Sequence, residues 1–344
     1  MAERASGAAI RISGLYKIFG SRPEAFVDAV RGGMTKADLN EGHGHILALK
    51  DINLDIAPGC IQVVMGLSGS GKSTLIRHIN RLIEPTAGNI LVDGVDVVAM
   101  PLEALRAFRR HKTAMVFQKF ALLPHRTVLD NTVYGLEVQG VPRARRVDVA
   151  MHWIERVGLK GYDRHYPNQL SGGMQQRVGL ARALTNDAPI LLMDEAYSAL
   201  DPLIRVDMQT MLLDLQKEVR KTIVFITHDL DEALRLGDRI AILRDGEMVQ
   251  QGTSQDIVLR PADDYVTSFV REVNRGKVVQ VGPLMEQPSG GVWPEATIPA
   301  DATLDMAVRE FARTGADRLS VVDGAQRRLG VVSMKRALEA MAPG

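Results

Sequence analysis

Cysteine is nearly missing: Cys60 is the only one in 344 residues. One thiol builds no disulfide framework, which excludes a bridge-stapled fold and fits a reducing compartment. Cys60 itself reads as a small residue at a strand start. Excess charge is missing too. There are 42 basic and 41 acidic residues, a net +1, a balance that argues against a nucleic-acid binder relying on a broad basic surface, and no nucleic acid is expected as a partner. No apolar run approaches the roughly 20 residues that a membrane helix needs. Met1-Ala2-Glu3-Arg4-Ala5 lacks the apolar core of a signal peptide. The expectation is a cytoplasmic chain that meets a membrane only through a partner, with length enough for two domains.

What is present begins at the phosphate-cradle pattern Gly66-Leu67-Ser68-Gly69-Ser70-Gly71-Lys72-Ser73-Thr74. The apolar run Ile61 to Met65 before it reads as a buried strand, and Leu75 to Leu82 after it as a helix. That is the strand–loop–helix context of a P-loop. Glycines let successive N–H groups curl toward a phosphate. The helix N-terminus adds partial positive charge there. Lys72 is placed to reach the β- and γ-phosphates, and the Ser73 hydroxyl to ligate Mg²⁺.

Leu170-Ser171-Gly172-Gly173 opens a second helix, with Ser171 as candidate cap and two glycines leaving its N-terminus bare. One nucleotide does not need both helix ends. Ile190 to Met193 then run into Asp194 and Glu195. Two adjacent carboxylates at the end of a buried strand are costly unless used. Strand alternation points them to different sides. Asp194 would face Mg²⁺ through water, and Glu195 would polarise an attacking water.

On these motifs the chain resembles the ATP-binding subunits of ABC transporters. Gln118, within Met115-Val116-Phe117-Gln118-Lys119-Phe120, matches the Q-loop glutamine; Ser198-Ala199-Leu200-Asp201 matches the D-loop; His228, after Ile226-Thr227, matches the switch histidine. Phe19 stands where the family stacks an aromatic on adenine, with Tyr16 as the other candidate. The resemblance runs over about residues 9 to 275 and implies an α/β P-loop NTPase cassette, a mixed sheet core plus a helical subdomain. It implies a homodimer in which Lys72, Ser73 and Asp194 of one copy face Ser171, Gly172, Gly173 and Gln175 of the other, with Asp201 at the interface. Glu195, Gln118 and His228 would be the catalytic and sensing residues, and Gln118 a metal ligand beside Ser73 and Asp194. ATP and Mg²⁺ would be bound.

A narrower resemblance is to the ATPases of the glycine betaine, proline and choline importers. It is carried by Leu15-Tyr16-Lys17-Ile18-Phe19-Gly20, Asn80-Arg81-Leu82-Ile83-Glu84-Pro85-Thr86 and Ala199-Leu200-Asp201-Pro202-Leu203-Ile204-Arg205. His228-Asp229-Leu230-Asp231-Glu232-Ala233 and an insertion at about 21–47 add to it. It implies a separate membrane permease, an extracytoplasmic solute-binding protein and a place at the cytoplasmic face of the inner membrane. An importer ATPase for another small solute, a non-transport ABC ATPase acting on DNA or ribosomes, and a chiefly regulatory module stand as alternatives. One P-loop, one signature and no sustained heptads disfavour the DNA or ribosome reading.

The expected organisation is a cassette over 1–275, with its helical subdomain at about 103–185, a linker over 276–294 and a small α+β element over 295–344. Gly282-Pro283 and Pro288-Ser289-Gly290-Gly291 mark the linker. Thr303 to Ala312 reads as a helix, with Arg318 to Asp323 and Leu329 to Ser333 as a hairpin. This resembles one CBS repeat, where the importer family often has two; it could pair across a homodimer or be a packing element. In the insertion, Phe26, Val27 and Val30 have helical spacing, while His43 and His45 read as loop residues rather than metal ligands. Basic clusters at Arg106 to Lys112 and Arg143 to Arg146 read as solvated helix faces. Phe120, Leu122, Leu123, Pro124 and His125 read either as a docking face for the membrane subunit or as packing within the subdomain.

Overall fold

The computed structural model describes residues 7–288 and 293–342. The N-terminal stretch Met1 to Ala5 and the sequence Ser289-Gly290-Gly291 lie outside the described residues. The chain forms two compact units, Met1–Val249 and Gln250–Gly344, a division earlier in the chain than residue 275. Among the described residues no helix is long and apolar enough to cross a membrane.

In chain order the first unit holds β1 (Ile10–Phe19), α1 (Val27–Arg31), α2 (Lys36–His43), β2 (Ile46–Ile56), β3 (Ile61–Met65), α3 (Lys72–Ile79), β4 (Ala87–Val92), β5 (Val95–Asp96) and α4 (Leu102–His111). There follow β6 (Thr113–Phe117), α5 (Val128–Val138), α6 (Arg143–Arg156), α7 (Gly172–Thr185), β7 (Ile190–Asp194), α8 (Pro202–Val219), β8 (Thr222–Thr227), α9 (Leu230–Leu236), β9 (Arg239–Arg244) and β10 (Glu247–Gly252), whose last three residues fall past the division at Val249. Two sheets result. One has the order β2-β1-β4-β5, the other β10-β9-β3-β8-β7-β6.

The two sheets differ as their sequences do. In β2, Leu47, Leu49, Ile52, Leu54 and Ile56 are buried while Asp51, Asn53 and Asp55 stay in water, the alternation of an antiparallel sheet with one wet face. The phase slips by one residue at Asp51, whose φ is +48°, and the pairing of β1 with β2 shifts register there. Strands β3, β7 and β8 are buried along their whole length, as a parallel sheet covered on both faces requires. The cores meet between the sheets, where Ile10, Ile52, Leu75, Ile79, Leu192 and Ile226 belong to one cluster. Leu105 and Phe108 of α4 join that cluster and β6 pairs with β7. The helices that pack on one another are α5, α6 and α7, and α7 also rests on β6.

The parallel register positions the site. Phe117 pairs with Asp194, Asp194 with Ile226, and Met65 with Thr227. Strands β6, β7, β8 and β3 thus end at one level, and the loops after them share one edge. Ligands of open α/β sheets bind outside the carboxyl ends of such strands.

The insertion is more ordered than its sequence suggests. It carries α1 and also α2, which is closed at its start by a reciprocal Thr35–Asp38 capping box. Val27, Val30 and Leu39 pack with Tyr16, Ile18 and Leu47 as a small core of their own. His45 lies in the loop between α2 and β2, as expected, but it is buried, while His43 is the last residue of α2. The ring nitrogens of His45 lie 2.7 Å from His43 O and 2.8 Å from Ser21 O.

His78 lies on the buried face of α3, beside the cradle, with Nδ1 at 2.6 Å from Thr74 O. Burial pulls its pKa from 6.5 down to about 4. The folded value lies below the unfolded one, so this contribution to stability is present above pH 6.5 and is lost as pH falls toward 4. The loss amounts to about 3 kcal/mol. Urea unfolding of wild type and His78→Gln from pH 7.5 to 4.5 is expected to show a steeper acid decline in wild type. Parallel profiles would refute it.

The second unit holds α10 (Ser254–Leu259), α11 (Asp264–Val270), α12 (Arg275–Val278), β11 (Thr297–Pro299), α13 (Leu304–Thr314), β12 (Arg318–Val322), β13 (Arg328–Ser333) and α14 (Met334–Met341). Its sheet has the order β11-β12-β13, parallel then antiparallel. Leu304, Ala307, Phe311, Leu319, Val321, Val332 and Ala337 are buried in it. The expected linker is packed over its described part. Val279, Val281 and Leu284 are buried, and Glu286 exchanges backbone hydrogen bonds with Val331. Gly282-Pro283 makes a 3₁₀ turn there rather than an open joint.

Candidate nucleotide site

The cradle lies between β3 and α3. Gly66 and Gly71 have φ of +150° and +99°, and each is hemmed in. A Cβ on Gly66 would stand 2.2 Å from Leu243 O, and one on Gly71 2.8 Å from Ala48 O. Backbone conformation and space both demand glycine there. Lys72 is buried and folds back on the loop, donating to Gly66 O at 2.8 Å and Leu67 O at 3.0 Å. Burial lowers its pKa, opposed by the nearby carboxylates of Glu195 and Asp194. Within the cradle Leu67, Ser68 and Gly69 are exposed and Ser70 is buried.

Asp194 ends β7 and faces α3. Ser73 Oγ donates to Asp194 Oδ1 at 2.7 Å, and Arg77 Nη2 to Asp194 Oδ2 at 3.0 Å. Glu195 points elsewhere, and for a different reason than strand alternation. The strand stops at Asp194, and Glu195 has φ +45°. Its N–H donates to Ile226 O at 3.2 Å. A left-handed, non-glycine residue costs about 1–3 kcal/mol and persists only where its surroundings hold it. That turn sends Glu195 toward the loops of β6 and β8.

Three side chains converge on it. Gln118 Nε2 donates to Glu195 Oε2 at 3.1 Å and to Ser198 Oγ at 3.2 Å. His228 Nδ1 lies 3.9 Å from Glu195 Oε2. Lys72 Nζ lies 3.9 Å from Glu195 Oε1. Lys72, Ser73, Gln118, Asp194, Glu195 and His228 are therefore brought together in one copy of the chain. The cluster combines an ammonium, a hydroxyl–carboxylate pair, and a half-buried carboxylate flanked by an amide and an imidazole. Ammonium and hydroxyl suit phosphate oxygens, and the second carboxylate suits orienting a water.

The other residues read from the sequence lie apart. Ser171 caps α7, accepting from Met174 N at 3.3 Å. It is exposed with Gly172, while Gly173 is half-buried. Gln175 spends its amide on the same chain, donating to Pro167 O at 3.0 Å and Leu170 O at 3.2 Å. It braces the loop before Ser171. Asp201 caps α8 by accepting from Ile204 N at 3.1 Å. Among the described residues no hydrogen bond or ion pair joins Ser171, Gly173 or Asp201 to the Lys72–Glu195 cluster. Phe19 is 40% exposed, whereas Tyr16 is buried with Arg31 over its ring. Only Phe19 is open to an incoming base.

Sequence reasoning missed Arg77 and Ser198 as parts of the site. Arg77 falls one turn after Ser73, hence on the same helix face, a spacing that could have found it. Ser198 was seen only within a motif, yet its hydroxyl also donates to Glu195 O at 3.0 Å and ties that loop together.

A family profile described as ABC transporter matches residues 49–198, and one described as CBS domain matches residues 291–343. The chain is 49% identical over 331 residues to the glycine betaine transport ATP-binding protein OpuAA of Bacillus subtilis, covering 96% of this chain and 78% of that one. It is 44% identical over 325 residues to the trimethylamine N-oxide transport system ATP-binding protein TmoW of Ruegeria pomeroyi, covering 94% of each. Among solved structures, the dimeric structure of MJ0796, a bacterial ABC transporter cassette, matches with a TM-score of 0.61 at 34% identity, covering 71% of this chain and 98% of that one. With that identity, that coverage and the cradle, carboxylate pair and loop order described above, the chain belongs to the ATP-binding proteins of ABC transporters and is an ATP hydrolase.

Proposed function

We propose that this chain powers an importer of a small amine osmolyte, with glycine betaine first, and choline, proline and trimethylamine N-oxide as the other solutes to try. The observation that carries the motor role is the convergence of Lys72, Gln118 and His228 on Glu195, with Ser73 and Asp194 beside them. The solute rests on the named relatives, since an ATPase subunit does not touch the cargo.

Two copies meet head to tail. Lys72 holds the β- and γ-phosphates of one ATP, and Phe19 stacks on its adenine. Ser171, Gly172 and Gly173 of the other copy close over the γ-phosphate with a helix N-terminus. Ser73, the Gln118 amide oxygen and, through water, Asp194 form an all-oxygen donor set that suits Mg²⁺. Bound there, the ion would neutralise phosphate charge. Glu195 orients the attacking water, and Gln118 and His228 report on the γ-phosphate. Loss of that phosphate removes the charge joining the two copies, which part.

The opening is passed to a membrane permease on other chains. A groove of about 270 Å³ beside the Gln118 loop is lined by Met115, Phe117, Ala121, Tyr134 and Arg182. Leu122 and Leu123 are half-buried, with Pro124 and His125 exposed. This face suits a helix of the permease, which would hold the chain at the cytoplasmic side of the inner membrane. An extracytoplasmic binding protein would deliver the solute.

Uptake of labelled glycine betaine, choline, proline and trimethylamine N-oxide tests the proposal, in cells carrying the chain with its chromosomal permease neighbours. One solute is expected to accumulate, and Lys72→Ala is expected to abolish it. Normal hydrolysis with uptake of none would remove the amine reading and keep the ATPase.

A further inference from the structure

Arg182 has no part in the phosphate chemistry above, although it lines the groove beside the Gln118 loop, and it makes a pair of contacts of its own. It lies near the end of α7, the helix that Ser171 caps. Its guanidinium donates to Ala121 O at 2.6 Å and to Phe120 O at 3.1 Å. Burial disfavours the charged form and lowers its pKa, with only Tyr134 acting against this. A cation kept in such a place is held for what it grips.

What it grips is strained. Phe120 and Ala121 both have left-handed backbones, with φ of +53° and +47°. Two adjacent non-glycine residues rarely adopt that conformation unless fixed from outside. Phe120 also lies along α7. A side chain at Gly172 would meet its ring at 3.6 Å, and one at Gly179 its carbonyl at 3.7 Å. Two residues before Phe120 is Gln118, which bonds Glu195. One rigid helix of 14 residues therefore carries Ser171 at its start and the anchor of the Gln118 loop toward its end.

We propose that Arg182 is a positioning residue that couples the two nucleotide sites of the dimer: it ties the Gln118 loop to α7, so that phosphate bound at Ser171–Gly173 of a copy sets Gln118 at that copy's own ATP. This rests on the reading that Ser171–Gly173 closes over the other copy's nucleotide. Arginine suits the task because its planar, pre-organised fork holds two carbonyls in one fixed geometry, where a lysine ammonium on a flexible stem fixes neither direction.

ATP titration of hydrolysis by the purified full chain tests this. Wild type is expected to respond sigmoidally, with a Hill coefficient of about 2 for two coupled sites. Arg182→Gln is expected to respond hyperbolically, with kcat lowered about tenfold and half-saturation within about twofold of wild type. Arg182→Lys should lose sigmoidality too while keeping more of kcat, and it carries the test if the glutamine variant does not fold. Thermal unfolding of each variant separates lost coupling from lost structure. A sigmoidal response retained in the folded variants overturns the proposal. A hyperbolic wild type, with hydrolysis unchanged by Ser171→Arg, overturns the underlying reading of Ser171–Gly173 and the coupling with it.

Discussion

Glu195→Gln is expected to lower ATP hydrolysis by about 10²–10⁴-fold while ATP still binds. Gln118, Lys72 and His228 face this carboxylate at 3.1 to 3.9 Å, and an amide of the same shape keeps the pocket filled. What disappears is the negative oxygen that draws a proton from water. Bound ATP then persists between two copies, so size-exclusion chromatography in ATP should show a stable dimer that wild type forms only transiently. The fold should survive, because Glu195 is half-buried and its strained backbone is held by the Ile226 carbonyl rather than by its side chain. A variant that hydrolyses ATP at the wild-type rate would remove Glu195 from the chemistry.

Lys72→Ala is expected to weaken ATP binding by about 10- to 100-fold, the worth of a charge-assisted contact, and to lower hydrolysis by about 10²–10³-fold. The ammonium is already stripped of water and rests on Gly66 O and Leu67 O. Phosphate oxygens would replace those carbonyls with no further desolvation, so the cation is prepared to bind. The truncation leaves the buried Gly66 carbonyl without its donor, so the unfolding midpoint should fall modestly while the fold survives. Isothermal titration with ATP, beside a hydrolysis assay, measures both quantities. Unchanged affinity would show that the lysine contacts its own loop and no phosphate.

Much of this site was legible because its chemistry is local. Gly66 to Thr74 is a loop that runs from a buried strand into a helix, and its Gly66 and Gly71 are demanded by contacts of 2.2 and 2.8 Å that no side chain survives. The carboxylate pair was legible as a cost: charge at the end of a buried strand. Where reasoning went astray, the cause was tertiary. Alternation predicted that Asp194 and Glu195 diverge; they do, but through a left-handed turn stabilised by β8. The 276–294 stretch reads as a joint from its glycines and prolines, yet Val279, Val281 and Leu284 are buried. Sequence could not show that a sheet lay within reach. His45 reads as a loop histidine and is one, but only the fold buries it, with Ser21 O and His43 O on either side of its ring.

The sequence by itself determined the motifs, their order and the polarity of each strand, because period-2 alternation, unbroken apolar runs and glycine-bearing turns are properties of neighbouring residues. It also determined that no disulfide or apolar helix of membrane length would be part of the described structure. Tertiary structure alone decided that the ends of β6, β7, β8 and β3 lie at one level, so that residues 118, 194, 195 and 228 meet residue 72. It alone decided that Arg182 reaches back to the Gln118 loop, and that Arg77 joins Ser73 on Asp194. Contacts between residues tens of positions apart depend on sheet register and helix packing. Those are set by the whole core at once, and no window of sequence contains them.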